Sequence, residues 1–168
     1  MIIAVDFDGT CVTHEFPRVG KEIGAAEVLK ELTDKGHKII LFTMRSHQLD
    51  GAEETEEFGY GKTKPAKLPS DGLQDAIDWF KKHDIPLFGV NENPTQKDWT
   101  SSPKPYAHIY IDDAALGVPL KHDSLSERPY VDWVMKHLYS RISCFVRTGY
   151  SLMIPIIQEE QKLVFQLL

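Results

Sequence analysis

Cysteine is scarce in this chain, and both long apolar runs and clusters of basic residues are missing. Only Cys11 and Cys144 occur, far apart and without CxxC spacing. That argues against a disulfide framework and leaves too few thiols for a structural zinc site. No apolar stretch reaches the roughly 18 residues that a membrane-spanning helix needs. Nor do the first residues show a basic region, an apolar run and a small-residue cleavage site. A cytoplasmic protein with no membrane partner is the expectation. Lys and Arg number 19 against 25 Asp and Glu, a net charge of -6. With no polybasic stripe, nucleic acid is disfavoured as a partner.

What the chain does have is an ordinary globular composition. Its 168 residues are 42% hydrophobic and 26% charged, enough for one domain with a full core. Short apolar runs at residues 2–6, 38–43, 86–90 and 108–112 alternate with helical patterns, which predicts an α/β fold with a parallel sheet flanked by helices. Ile23, Ala26, Leu29 and Leu32 fall on one helical face, with Gly36 placed to end that helix. Leu73, Ala76, Ile77 and Phe80 form a second such face behind a cap at Ser70 and Asp71. Val131, Val134, Met135 and Leu138 suggest a third helix, with Pro129 in its first turn.

Two stretches break the alternation. Residues 46–71, SHQLDGAEETEEFGYGKTKPAKLPSD, are polar and longer than a usual βα connection. Either a surface loop or a lid over the C-terminal edge of the sheet fits them. Residues 141–168 carry no recognisable chemistry. An edge element, a dimer contact in a homo-oligomer or a poorly ordered end would each account for this tail, and Pro155 prevents one continuous helix through it.

The chemistry lies where strands end. Asp6 and Asp8 follow the apolar run Ile2, Ile3, Ala4 and Val5; Thr43 closes a second run; Asp112 and Asp113 close the last. In a parallel sheet these ends share one edge, and the ligand crevice forms where the winding reverses. Carboxylates gathered there repel one another unless a cation lies among them, and oxygen ligands of this kind suit Mg²⁺. Cys11, close to the acidic pair, reads as a small buried residue.

DFDGT at residues 6–10 resembles the first motif, DxDx[TV], of the haloacid dehalogenase (HAD) superfamily. Thr43 after Ile39, Ile40, Leu41 and Phe42 is similar to the second motif. Lys104 would be the third, with Lys97 as the other candidate, and IDD at 111–113 resembles the fourth. The resemblance covers residues 1–138. It implies a Rossmann-like, HAD-like catalytic domain over residues 1–140, with the insertion at 46–71 and a separate tail at 141–168. Segments 11–20 and 90–104 are too short for a large cap domain.

The resemblance also implies roles. Asp6 would be the nucleophile that forms an aspartyl-phosphate, and Asp8 the general acid and base. Thr43 and Lys104 would stabilise phosphoryl oxygens. Mg²⁺ would be held by Asp6, the backbone carbonyl of Asp8, Asp112 and, through water, Asp113, which would otherwise orient Lys104. Arg45 either reaches a substrate anion or pairs with the acidic loop. His14 and His47 read as surface histidines. The expected activity is a Mg²⁺-dependent phosphatase acting on a phosphorylated small molecule or macromolecule. Alternatives are phosphotransfer to another acceptor, including nucleotide or sugar-phosphate chemistry, and a phosphate-ligand-binding protein without turnover.

Overall fold

In the computed structural model, residues 1–47 and 71–133 are described. Ile2–Val5 form β1, where Ile3, Ala4 and Val5 are all buried. Burial on both faces is what a continuous apolar run requires of a central parallel strand. β1 pairs in parallel with β2 (Lys38–Leu41) on one side and β4 (Ile109–Ile111) on the other, and β2 pairs with β3 (Leu87–Val90). The sheet order is β3-β2-β1-β4. The architecture is thus a four-stranded parallel sheet with flanking helices, a Rossmann-like α/β arrangement, and the strands match the four apolar runs apart from frayed ends.

Helix α1 (Ala25–Asp34) buries Ala25, Leu29 and Leu32. It stops at Gly36, whose φ of 82° places the following amide of His37 on the Leu32 carbonyl at 3.0 Å. Helix α2 (Gly72–Lys82) buries Leu73, Ala76, Trp79 and Phe80. Its cap is Asp71, whose carboxylate accepts from the amides of Leu73 and Gln74 at 3.1 and 3.0 Å. The Gln74 amide contributes most to holding Asp71 below the usual carboxylate range.

The winding β1, β2, β3 moves across the sheet in one direction, and β4 returns to the far side of β1. The reversal lies between β1 and β4, so the crevice of the fold opens beside the ends of these two strands. The return connection, residues 91–108, contains no helix. Two buried side-chain amides organise it instead. Asn93 donates to the Tyr106 carbonyl and accepts from Thr95, while Gln96 donates to the carbonyls of Ser102 and Lys104 and accepts from the Tyr106 amide. Buried amides need such partners, and here they take the place of a helical ladder.

Beyond β4 the structure departs from the sequence reading. Tyr130–Val131 form a short strand, β6, antiparallel to β5 (Leu120–Lys121). Val131 therefore lies in a strand and Pro129 opens no helix; the other residues of that expected helix, 134–138, lie outside the described residues. So do nearly all of the insertion at 46–71 and the whole tail at 141–168.

Candidate active site

DFDGT leaves β1 as a tight turn built around a buried phenylalanine. The amides of Thr10, Cys11 and Val12 all point at the Phe7 carbonyl, at 3.2, 2.7 and 3.2 Å. The Phe7 ring is fully buried and meets Trp79 and Phe80 of α2 at centroid distances of 5.7 and 6.3 Å. Locking Phe7 in the core fixes the residues on either side of it. Gly9 turns the chain with φ 81°, and a Cβ there would run into the His14 imidazole, so both backbone conformation and space require glycine.

Asp6 continues the pairing of β1, with its amide donating to the Ile111 carbonyl at 2.9 Å. Its carboxylate gathers with those of Asp112 and Asp113, one oxygen from each lying within 4.8 Å of the others. Thr10 Oγ1 ties the group together, accepting from the Asp113 amide at 3.0 Å and reaching Asp6 Oδ2 at 3.4 Å. Burial pushes the Asp6 carboxyl up to about 7; the Phe7 amide opposes this, and the charges of Asp112, Asp113 and Asp8 add to it. Three carboxylate oxygens this close could hold a metal ion, since hard oxygen donors suit a hard cation and its charge would relieve their repulsion.

The carboxylate of Asp8 is elsewhere. Both of its oxygens accept from Arg45, Oδ2 from Nε and Oδ1 from Nη2, each at 2.7 Å. Arg45 is 3% exposed and also donates to the carbonyls of Pro17, Arg18 and Gly72. Its guanidinium lies 4.9 Å from the centroid of Phe7 and 5.2 Å from that of Phe16. Of the two roles open to Arg45, the structure shows the pairing with the acidic loop.

Thr43 follows β2, its amide donating to Asn91 Oδ1 at 2.8 Å and its hydroxyl accepting from the Arg45 amide at 3.2 Å. That acceptance leaves the hydroxyl proton to donate elsewhere. Lys104 is exposed, its ammonium 5.2 Å from the centroid of the Tyr110 ring. Among the described residues it forms no ion pair with the three carboxylates. Lys97 pairs with Glu92 at 3.1 Å on the surface.

Two neighbours, His14 and Trp133, were hidden in the sequence. His14, expected at the surface, is mostly buried, with Nε2 2.9 Å from Asp113 Oδ2. The turn at Gly9 brings it back over the acidic loop, which no local spacing signals. His47 is exposed and pairs with Asp71. Cys11 is buried, as expected, its thiol donating to the Asp6 carbonyl at 3.1 Å; burial pushes the thiol well above its ordinary range. Trp133 is buried and donates from Nε1 to the Thr10 carbonyl at 2.6 Å, while the Val131 amide reaches the Gly9 carbonyl at 2.8 Å. The β5–β6 hairpin thus braces the turn that carries the acids.

No family model and no curated protein matches the chain. Among solved structures it is similar to a conserved protein from Bacteroides thetaiotaomicron, with 26% identity and a TM-score of 0.56 over 90% of this chain and 93% of that one. The likeness spans nearly both chains and agrees with the α/β arrangement. No helix among the described residues is long and apolar enough to cross a membrane.

Proposed function

We propose that the protein is a Mg²⁺-dependent phosphatase of the HAD type, using Asp6 as nucleophile. The observation that carries this reading is the gathering of Asp6 with Asp112 and Asp113 at the reversal of the sheet's winding. A half-buried nucleophile next to two further carboxylates suits attack on a phosphate only if a cation offsets their charge. Asp6, Asp112 and Asp113 would hold it, with the Asp8 backbone carbonyl as a further oxygen donor. Mg²⁺ bound there would supply the positive charge that lets an anionic nucleophile approach an anionic phosphate.

An Asp6 carboxylate oxygen attacks phosphorus in line with the departing oxygen and forms an aspartyl-phosphate, which splits the transfer into two displacements. The Thr43 hydroxyl is the donor for a phosphoryl oxygen. Lys104 enters as a second, flexible donor that swings from the Tyr110 ring. Water then attacks phosphorus and releases Asp6. No membrane enters this scheme; its substrate is a phosphorylated small molecule or macromolecule.

Hydrolysis of an aryl phosphate with and without Mg²⁺ tests the proposal. Asp6→Asn should lower kcat by on the order of 10³-fold or more, and mass spectrometry of acid-quenched wild type should find phosphate on Asp6. Full activity in Asp6→Asn would sink the assignment. A second reading, phosphate-ligand binding without turnover, draws support from the Arg45 fork on Asp8 and from the Lys104 contact with Tyr110. Calorimetric binding of Mg²⁺ and inorganic phosphate, with no substrate of a broad panel hydrolysed, would favour it.

A further inference from the structure

We propose that Asn91 is a positioning residue for the phosphatase reaction: its side chain holds the Thr43 amide and, through it, the hydroxyl that meets the phosphoryl group. The inference rests on the phosphatase reading above and adds to it a residue from the end of β3.

Asn91 follows β3 directly, and its φ of 53° is left-handed. A side chain in that conformation carries a steric cost that glycine would avoid. The chain has to turn sharply here, because the Glu92 carbonyl folds back so close to Gly89 that a Cβ on Gly89 would overlap it. Glycine would serve such a turn at position 91 more cheaply. The side chain must therefore be explained by what it bonds.

The Asn91 amide donates to the Leu41 carbonyl at 2.7 Å, which carries the β2–β3 pairing one step further. In an unbroken parallel ladder the next bond would run from the Thr43 amide to the main-chain carbonyl of Asn91. Here the Thr43 amide donates instead to Asn91 Oδ1, at 2.8 Å. A backbone N–H can only donate, so the atom facing it is the carboxamide oxygen and the orientation of the side chain is fixed.

Thr43 is thereby held from two directions. Its amide is tied to Asn91, and its Oγ1 accepts from the Arg45 amide at 3.2 Å. Arg45 is itself seated by the carbonyls of Pro17, Arg18 and Gly72. Removing Oδ1 would loosen Thr43 on the side of β3, and a misplacement of about 1 Å in a reacting group can cost about 100-fold in rate. Asp could also accept from the amide and tolerate a positive φ. It would, however, bring a negative charge to the strand end where an anionic phosphate docks. Asn meets both demands without charge.

The test is steady-state hydrolysis of an aryl phosphate with Mg²⁺ by the full chain, for wild type, Asn91→Gly, Thr43→Ala and the double variant. Glycine keeps the turn and removes the acceptor. Asn91→Gly should lower kcat by about 10–100-fold with little change in KM, and Thr43→Ala by about 10²–10³-fold. The double variant should match Thr43→Ala, because no hydroxyl is left to misplace. Full activity in Asn91→Gly or in Thr43→Ala overturns the inference and leaves Asp6 as nucleophile untouched. A loss in the double variant equal to the product of the two single losses also overturns it, since Asn91 would then act on the fold and not through Thr43. Where Asn91→Gly does not fold, Asn91→Asp decides. It keeps both acceptor and turn, so kcat should stay within a few-fold of wild type while KM rises; a kcat as low as that of Thr43→Ala overturns the inference. A wild type that hydrolyses no aryl phosphate overturns both readings.

Discussion

His14 and Asp113, which lie 99 positions apart in the chain, meet with Nε2 2.9 Å from Oδ2 directly over Gly9. The contact joins the turn after β1 to the end of β4, the two segments that carry the acidic cluster. It exists only because residue 9 has no side chain.

Gly9→Ala should therefore be strongly destabilising. A non-glycine residue at positive φ costs about 1–2 kcal/mol, and overlap with the imidazole adds about 1–3 kcal/mol. Urea denaturation of Gly9→Ala, His14→Ala and the double variant separates the two contributions. The double variant should recover the overlap part and keep the backbone part. Full additivity would mean that the ring moves aside freely and that the Asp113 contact is not held in place.

Arg45→Met should cost about 3–5 kcal/mol, because it leaves the Asp8 carboxylate without its fork while the surrounding carbonyls lose their donor. Arg45→Lys should recover only part of this, since a single ammonium cannot bond both carboxylate oxygens in one plane. Chemical denaturation midpoints at constant slope give the comparison. Equal stability of the Lys variant and wild type would show that charge alone suffices.

β1 and β2 were readable in the sequence because largely buried strands leave unbroken apolar runs, and the edge strands β3 and β4, only partly buried, kept the same runs at Leu87–Val90 and Ile109–Ile111. Helix α2 was readable for a similar reason, with Asp71 capping a face made by Leu73, Ala76 and Phe80. The convergence of Asp6, Asp112 and Asp113 followed from the parallel strands. What stayed hidden depends on long-range closure. The seat of Arg45 is made of carbonyls from residues 17, 18 and 72, which have no side-chain signature. His14 needed the fold of the Gly9 turn. A two-residue strand such as β6 is too short to show a period, so Val131 took on the helical spacing of the residues after it. The helix-free return to β4 is set by Asn93 and Gln96, whose role depends on burial that composition does not reveal.

The Asp6 carboxyl ties stability to pH. Its value is raised from 3.8 to about 7 by burial first, with the neighbouring carboxylates adding to it. The folded state then holds a proton that the unfolded state has released, so this group's contribution is fully present below pH 3.8 and is lost as pH rises through about 7. A divalent cation needs the ionised form and must displace that proton at acid pH. Thermal denaturation at about pH 5 and about pH 8, with and without Mg²⁺, should show the larger gain from Mg²⁺ at the higher pH. Asp6→Asn should remove most of this difference. An equal gain at both pH values would place cation binding away from Asp6.

Trp133 offers a final check on how the acidic turn is supported. Its indole N–H donates to the Thr10 carbonyl at 2.6 Å, and Thr10 in turn meets the Asp113 amide through Oγ1. Trp133→Phe keeps most of the ring but leaves a buried carbonyl without its donor, a loss of about 1–3 kcal/mol. Trp133→Ala also removes the ring and should cost about 3–5 kcal/mol. The two variants divide the role of the residue between packing and hydrogen bonding. If the bond to Thr10 sets the geometry of the turn, Trp133→Phe should weaken Mg²⁺ binding measured by calorimetry nearly as much as Trp133→Ala does. If packing alone matters, only Trp133→Ala should. Unchanged Mg²⁺ binding in both would mean that the hairpin stabilises the fold without positioning Asp6 or Asp113, because the Val131 amide on the Gly9 carbonyl would then suffice to hold the turn.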